Sequence, residues 1–119
     1  MHRLEATLAR LDTALAAPAR LAEPWRQAVR HRLGDVAAEL SDERAVVGDT
    51  GLDARADHLH RERNRLLARI SVLGPMVDNG DPDAVRTAVA RLLQDVHHHH
   101  ERINDLAYDA VAMEVGGSE

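Results

Sequence analysis

Residues 82–114, PDAVRTAVARLLQDVHHHHERINDLAYDAVAME, contain the clearest indication of the fold. Apolar residues recur there at steps of three and four, the spacing of one face of an amphipathic α-helix. One position of this stripe is occupied by a histidine, His99, where the period calls for an apolar side chain. The other members of the stripe are Val85, Val89, Leu92, Val96, Ile103, Leu106, Ala110 and Met113.

Three further stripes with helical spacing precede this segment. Pro18 ends the first, and the turn-forming sequences GDTG at 48–51 and DNGDP at 78–82 follow the second and third. The third helix is expected to end near Gly74-Pro75, and Gly116-Gly117 is expected to stop the fourth. Four amphipathic helices joined by short turns predict an all-α, antiparallel up-down-up-down four-helix bundle. The predicted helices span 2–17, 22–47, 53–77 and 82–114.

The composition supports one domain over residues 1–119. A chain of this length can bury one continuous core, and its 45% apolar residues are mostly Ala, Leu and Val, with no Phe. The absence of cysteine excludes disulfides, thiolate metal sites and a cysteine nucleophile. The residues expected to be buried in mutual contact are Leu8, Leu11, Val36, Leu59, Leu66, Ile70, Leu92, Val96 and Ile103.

Charge and hydropathy remove several classes of function. The net charge of −5, with acidic and basic residues interspersed, does not provide the basic face that a nucleic acid requires. No apolar run reaches the ~20 residues of a membrane span, and the N-terminus lacks the apolar stretch of a signal peptide. No nucleophile elbow or phosphate-binding loop is present, so a hydrolytic enzyme is the least favoured class. We expect a cytoplasmic protein that binds neither nucleic acid nor membrane.

The antiparallel arrangement predicts which residues share the height of His99. Residues equally distant from a connecting turn lie at about the same height, so the turns near 19, 50 and 80 act as mirrors. His99 is thereby matched with positions near 61, 39 and 1, with an uncertainty of about one helical turn. The polar side chains expected at these heights are His2, Glu39, Glu62, Arg63, His99 and His100, with Asp35 and His58 one helical turn away.

A polar layer inside an apolar bundle requires satisfied partners, because an unpaired buried polar group costs about 1–3 kcal/mol. Two interpretations stay open at this point. The layer is either a metal site built from imidazoles and carboxylates, or an ion-pair network centred on Arg63. His58 and Glu62 are one turn apart on a helix face, but this spacing is common on solvated surfaces. The run His97–His100 sweeps a whole turn, so only His99, and then His100, are expected to face the core.

Two stretches resemble small hemerythrin-like, or HHE cation-binding, proteins of high-GC bacteria: LHRERNRLLARISVLG at 59–74 and HHERINDLAYDAVAMEVGG at 99–117. The resemblance implies a four-helix bundle holding non-haem iron in its core. His100-x-x-x-x-Asp105 matches the spacing of that family's fourth helix, and His2 matches its first-helix ligand. The third-helix His-x-x-x-His pair is missing, and Arg63 stands where related sequences often have His.

Residues His58 and Glu62 match the spacing of the family's second helix, although they lie on the third predicted helix here. The resemblance therefore implies a divergent member with an incomplete ligand set. The candidate ligands are His2, Glu39, His58, Glu62, His99, His100 and Asp105.

Two functions follow from these residues. The first is a hemerythrin-like protein that binds non-haem iron, di-iron or mononuclear, or another transition metal, for oxygen, redox or metal sensing or storage. The second is a metal-free structural or protein-interaction module, in which Arg63 replaces the metal charge by pairing with Glu39, Glu62 or Asp105. Apolar residues beside the main stripes would widen a face for a homodimer or another helix. These residues are Leu67, Leu93 and Val111.

Overall fold

A computed structural model of the chain describes residues 3–18, 22–42 and 53–117. Within these ranges the secondary structure is helical, with no strand, which confirms the all-α prediction. None of the described helices is long and apolar enough to cross a membrane. The four helices are α1 (Arg3–Ala16), α2 (Ala22–Ser41), α3 (Asp53–Asn79) and α4 (Pro82–Gly117).

The predicted starts of the helices agree with the structure to within one residue where they are described. The end predicted for α3 near Gly74-Pro75 is wrong, because the helix continues through Pro75 to Asn79. Proline removes the N–H that would bond the Ser71 carbonyl, but both residues are exposed, so water can reach that carbonyl. The helix α4 likewise includes Gly116-Gly117. Asp42 forms a turn after α2, and the remainder of its predicted extension to 47 lies outside the described residues.

All four helices contribute to the main apolar core. Arg86 and Trp25 lie at one end of this core. The Arg86 Nε atom donates to the carbonyl of Leu15 at 3.2 Å, and Nη2 donates to the carbonyl of Ala17 at 3.0 Å. Trp25 is buried beneath this guanidinium. The core prediction is confirmed for the residues that belong to this cluster, which are Leu8, Leu11, Val36, Leu66, Ile70, Leu92 and Val96.

A second, smaller apolar cluster lies between α3 and α4. Leu59 and Leu106 are its buried members, and Ala56, Ile103 and Ala107 pack against them. Leu59 is buried as expected and Ile103 is half-buried, but both belong to this second cluster, so the expectation that they share one cluster with the other core residues is wrong. The two clusters are separated along α4 by the turn that carries His99, because a polar residue interrupts the apolar stripe there.

The helices contact one another in the order α1 to α2, α2 to α3, α3 to α4 and α4 to α1. In the ion pairs between α3 and α4, an earlier residue of α3 pairs with a later residue of α4. Arg69 pairs with Asp95, and Arg55 pairs with Asp109. Arg30 of α2 pairs with Asp78 of α3. These pairings are compatible with an up-down bundle. The molecule measures 61 × 21 × 19 Å, and α3 and α4 extend beyond the described ends of α1 and α2.

Candidate functional site

His99 is the centre of the polar layer. It follows Val96 by three residues on α4, which places it on the helix face directed at the core, and its exposed fraction is 0%. Its Nδ1 atom lies 2.6 Å from Oε1 of Glu62 on α3. An ionised carboxylate can only accept hydrogen bonds, so the ring hydrogen of this contact is on Nδ1. The expectation that His99 faces inward is confirmed.

Glu62 is held by a second group from the same helix as His99. The Arg102 guanidinium donates from Nη2 to Oε2 at 2.7 Å and from Nε to Oε1 at 3.3 Å. Because His99 and Arg102 are three residues apart on α4, they lie on adjacent parts of one helix face and reach the same carboxylate. Both oxygens of Glu62 therefore have partners within the protein.

The electrostatic state of Glu62 follows from these contacts. Burial alone raises the pKa of this carboxyl, because it disfavours the charged form. The hydrogen bonds from His99 and Arg102, together with their positive charges, outweigh burial, and the net pKa is lowered. Glu62 is therefore ionised at neutral pH, and its negative charge belongs to an internal network.

Arg63 is half-buried on α3 and contacts a residue of its own helix. Its Nη2 atom lies 2.9 Å from Nδ1 of His60, one turn earlier on α3. The guanidinium on Glu62 is that of Arg102, which the sequence analysis did not single out. The sequence contained one signal for Arg102: it lies three residues after His99, on a helix expected to pack against α3.

The remaining members of the predicted layer form separate pairs. Glu39 is largely buried, and its Oε1 lies 3.2 Å from Nε of Arg3 on α1. The His100 ring is 12% exposed, and its Nε2 lies 3.6 Å from Oε1 of Glu5. These contacts join α1 to α2 and to α4 near the height of His99.

His58 and Asp105 are exposed on the outside of the α3 and α4 pair. Both line a shallow, largely apolar cavity of about 280 Å³ that also includes Leu59 and Arg102. His2 lies outside the described residues. The six candidate ligands that the structure describes are thus distributed over several contacts, and among the residues with described side chains no three His, Asp or Glu are grouped to hold a metal ion.

The histidine run divides as the helical period predicts. His97 and His98 are exposed, His99 is fully buried and His100 is intermediate. The Nε2 atom of His97 lies 4.0 Å from Oε1 of Glu101, one turn later on the solvent side of α4. Only two of the four rings therefore belong to the polar layer.

No protein-family model, curated protein or solved structure matches this chain. The hemerythrin-like resemblance consequently depends on the two quoted stretches alone. The functional conclusion has to come from the geometry of the polar layer and of the surrounding surface.

Proposed function

We propose that the chain is a metal-free helical interaction module whose polar layer is a structural ion-pair network. The observation that supports this most directly is the Glu62 carboxylate, which accepts hydrogen bonds from His99 and from the Nε and Nη2 atoms of Arg102. In this proposal Arg102, and not Arg63, supplies the cation that replaces a metal charge.

We further propose that the four helices form an antiparallel up-down-up-down bundle, related to hemerythrin-like proteins in architecture. The reversed pairing of Arg69 with Asp95 and of Glu62 with Arg102 supports the antiparallel direction of α3 and α4. The ion pair between Arg3, at the start of α1, and Glu39, near the end of α2, supports the same direction for the first two helices.

Electrostatics favour the network over a metal at Glu62. A divalent cation bound to this carboxylate would lie within a few ångström of the Arg102 guanidinium, whose Nη2 is 2.7 Å from Oε2. Like charges at such distances repel, and the arginine cannot lose its proton at physiological pH. Metal binding to this carboxylate would therefore require Arg102 to leave.

The exposed apolar residues support an interaction role. Among the side chains that the structure describes, the large apolar ones with high exposure are Val72, Tyr108 and Val111, and all three lie on α3 or α4. Leu67 and Leu93, which were expected to widen an outer face, instead pack against the main core. Tyr108 and Val111 are three residues apart on α4 and are therefore neighbours on one helix face, and exposed apolar surface of this kind is a common feature of protein contact sites.

Metal analysis tests the proposal. Protein purified without a tag is loaded anaerobically with Fe²⁺, or with Zn²⁺, desalted and assayed for metal by elemental analysis. We expect less than stoichiometric metal and a thermal midpoint that a chelator does not change. The His97→Gln/His98→Gln double variant is the control, since it removes weak binding by the exposed rings. One equivalent or more of iron retained by the double variant would overturn the proposal.

Iron binding is the second candidate, and one observation favours it. His99 is buried with its Nδ1 held by a carboxylate, and metal-ligating histidines are commonly held in this way by their second nitrogen. If iron binds, His99→Gln should abolish the retained metal, and Arg102→Gln should increase it. In the metal-free module, both substitutions change stability and leave the metal content unchanged.

A further inference from the structure

A groove on the outer face between α3 and α4 lies apart from the polar layer. It has a volume of about 420 Å³, and its surface is mainly apolar. Val72 stands ten residues after Glu62 on α3, a separation of about 15 Å along the helix. The groove is lined by Ala68, Arg69, Val72, Leu73, Ala88 and Arg91.

The floor of the groove is suited to contact with another apolar element. Val72 is 72% exposed and lies in the C-terminal third of α3, so its apolar side chain is available to a partner. Ala68 and Ala88 on either side are small, so a third helix could approach the α3 and α4 backbones closely. The groove is open to solvent along its length and does not enclose a small molecule.

The rim of the groove is cationic. Arg91 lines the groove, is exposed, and within the described part of the chain forms no ion pair. Arg65 does not line the groove, but it lies one turn before Arg69 on the same helix, is exposed, and has no described ion pair either. Arg69 is neutralised by Asp95 at 2.7 Å. The chain as a whole carries a charge of −5, so this local excess of positive charge runs against the overall balance.

We infer that this groove binds an acidic amphipathic helix of a partner protein, an inference that rests on the proposed interaction function. Apolar residues of the partner at helical spacing would cover Val72 and the two alanines, and flanking carboxylates would face Arg91 and Arg65. A second copy of this chain fits less well, because a symmetric contact through this face would bring the same arginines together.

Fluorescence anisotropy tests the inference with designed probes. The first is a labelled helical peptide of about 20 residues, with leucines on one face flanked by glutamates, and the second replaces each Glu by Lys. We expect the acidic peptide to bind at least tenfold more tightly than the basic one, and to weaken as salt is raised. Equal binding of the two peptides, or no binding of the acidic one, would overturn the inference.

Substitutions locate the contact. Val72→Asp should weaken binding of the acidic peptide at least tenfold, because it places a like charge on the apolar floor. Arg91→Gln should weaken it about two- to fivefold, the range of an exposed ion pair. Arg10→Gln is the matched control, an exposed arginine of α1 with no described ion pair, and should leave affinity unchanged. Unchanged binding by Val72→Asp would place the peptide elsewhere and contradict the assignment.

Sedimentation of the same variants tests whether a second copy of this chain occupies the groove. A wild-type dimer that Val72→Asp converts to monomer would assign the groove to a second copy and overturn the partner inference. The metal assay remains a separate test of the proposed function. Failure of peptide binding with a metal-free polar layer contradicts the groove assignment alone, whereas stoichiometric iron contradicts the interaction module.

Discussion

Arginine side chains make several of the contacts that join the helices. All 15 basic residues of the chain are arginine. The planar guanidinium lets Arg102 hold both oxygens of Glu62 through two nitrogens, Nε and Nη2. Arg26 donates from Nη1 to the carbonyls of Val77 and Gly80 at the end of α3. A lysine ammonium lacks this fork geometry and could not make the paired contact. Substitution of Arg102 by lysine is therefore not conservative at this site.

Glu62→Gln tests how much the polar layer contributes to the free energy of unfolding. Glutamine keeps the size of the side chain but loses the charge that Arg102 and His99 contact, so the free energy of unfolding should fall by about 1–3 kcal/mol. The control is Glu101→Gln, since Glu101 is 59% exposed and its nearest imidazole nitrogen is 4.0 Å away. That variant should change stability by less than about 0.5 kcal/mol. Urea unfolding followed by circular dichroism measures both, and equal losses would show that the layer has no special weight.

Wild type and Glu62→Gln also give a prediction for the pH dependence of stability. The pKa of Glu62 is lowered in the folded state, so the unfolded chain takes up this proton more readily, and its contribution to stability is lost as pH falls. The stability difference between wild type and Glu62→Gln should be constant above the ordinary glutamate pKa of about 4.3 and shrink below it. Urea unfolding from neutral to acidic pH measures this difference. A difference that grows toward acidic pH would contradict the assigned sign.

The prolines inside α2 and α3 lie at positions with opposite consequences. Pro24 lies in the first turn of α2, where the missing N–H has no helical acceptor in any case. Pro75 lies inside α3, and the helix continues for four more residues after it. The α3 helix tolerates this proline because the packing of Leu73 and Val77 on the core holds the last turn in place.

Pro75→Ala should raise the free energy of unfolding by about 1–3 kcal/mol, because the alanine N–H can bond the Ser71 carbonyl and the ring clash disappears. Pro24→Ala is the control with the opposite sign. The alanine restores no hydrogen bond and gives the unfolded chain more conformational freedom, so the free energy of unfolding should fall by about 0.4–1 kcal/mol. Thermal and urea unfolding measure both changes. A loss of stability in Pro75→Ala would show that the core requires a bend at this residue.

The molecule as a whole is elongated because its helices differ in length. The 36 residues of α4 and the 27 of α3 exceed the 14 of α1 and the 20 of α2. The surplus forms the segment that carries the second apolar cluster, beyond the turn of His99. Among the described residues, the polar layer therefore lies where a core built by four helices gives way to a cluster built by α3 and α4.

Small-angle X-ray scattering tests this shape. The Cα radius of gyration is 16.6 Å, whereas a compact chain of this length is expected near about 13.5 Å. Dilute monomer should therefore scatter as a rod-like particle, with a radius of gyration well above the compact value. A measured radius near the compact value would mean that the long ends of α3 and α4 fold back in solution.

The helical class and most of the main core could be predicted from the sequence, because the helical period is a local property. The stripe that contains Val96 and Leu92 places both in the core, and it also places His99 on the same inward face. The metal-free interaction function and the alternative iron site remain predictions from sequence and geometry together.

The partner of Glu62 was decided by tertiary structure. Arg63 is its neighbour in sequence, but consecutive residues of a helix point about 100° apart, so the two side chains do not share a face. Arg102 is forty residues away and reaches Glu62 because α3 and α4 pack side by side. The division of the core into two clusters arises in the same way, since it depends on how far each helix extends past its neighbours. Local periodicity specifies each helix face, whereas the height at which faces meet depends on packing between helices.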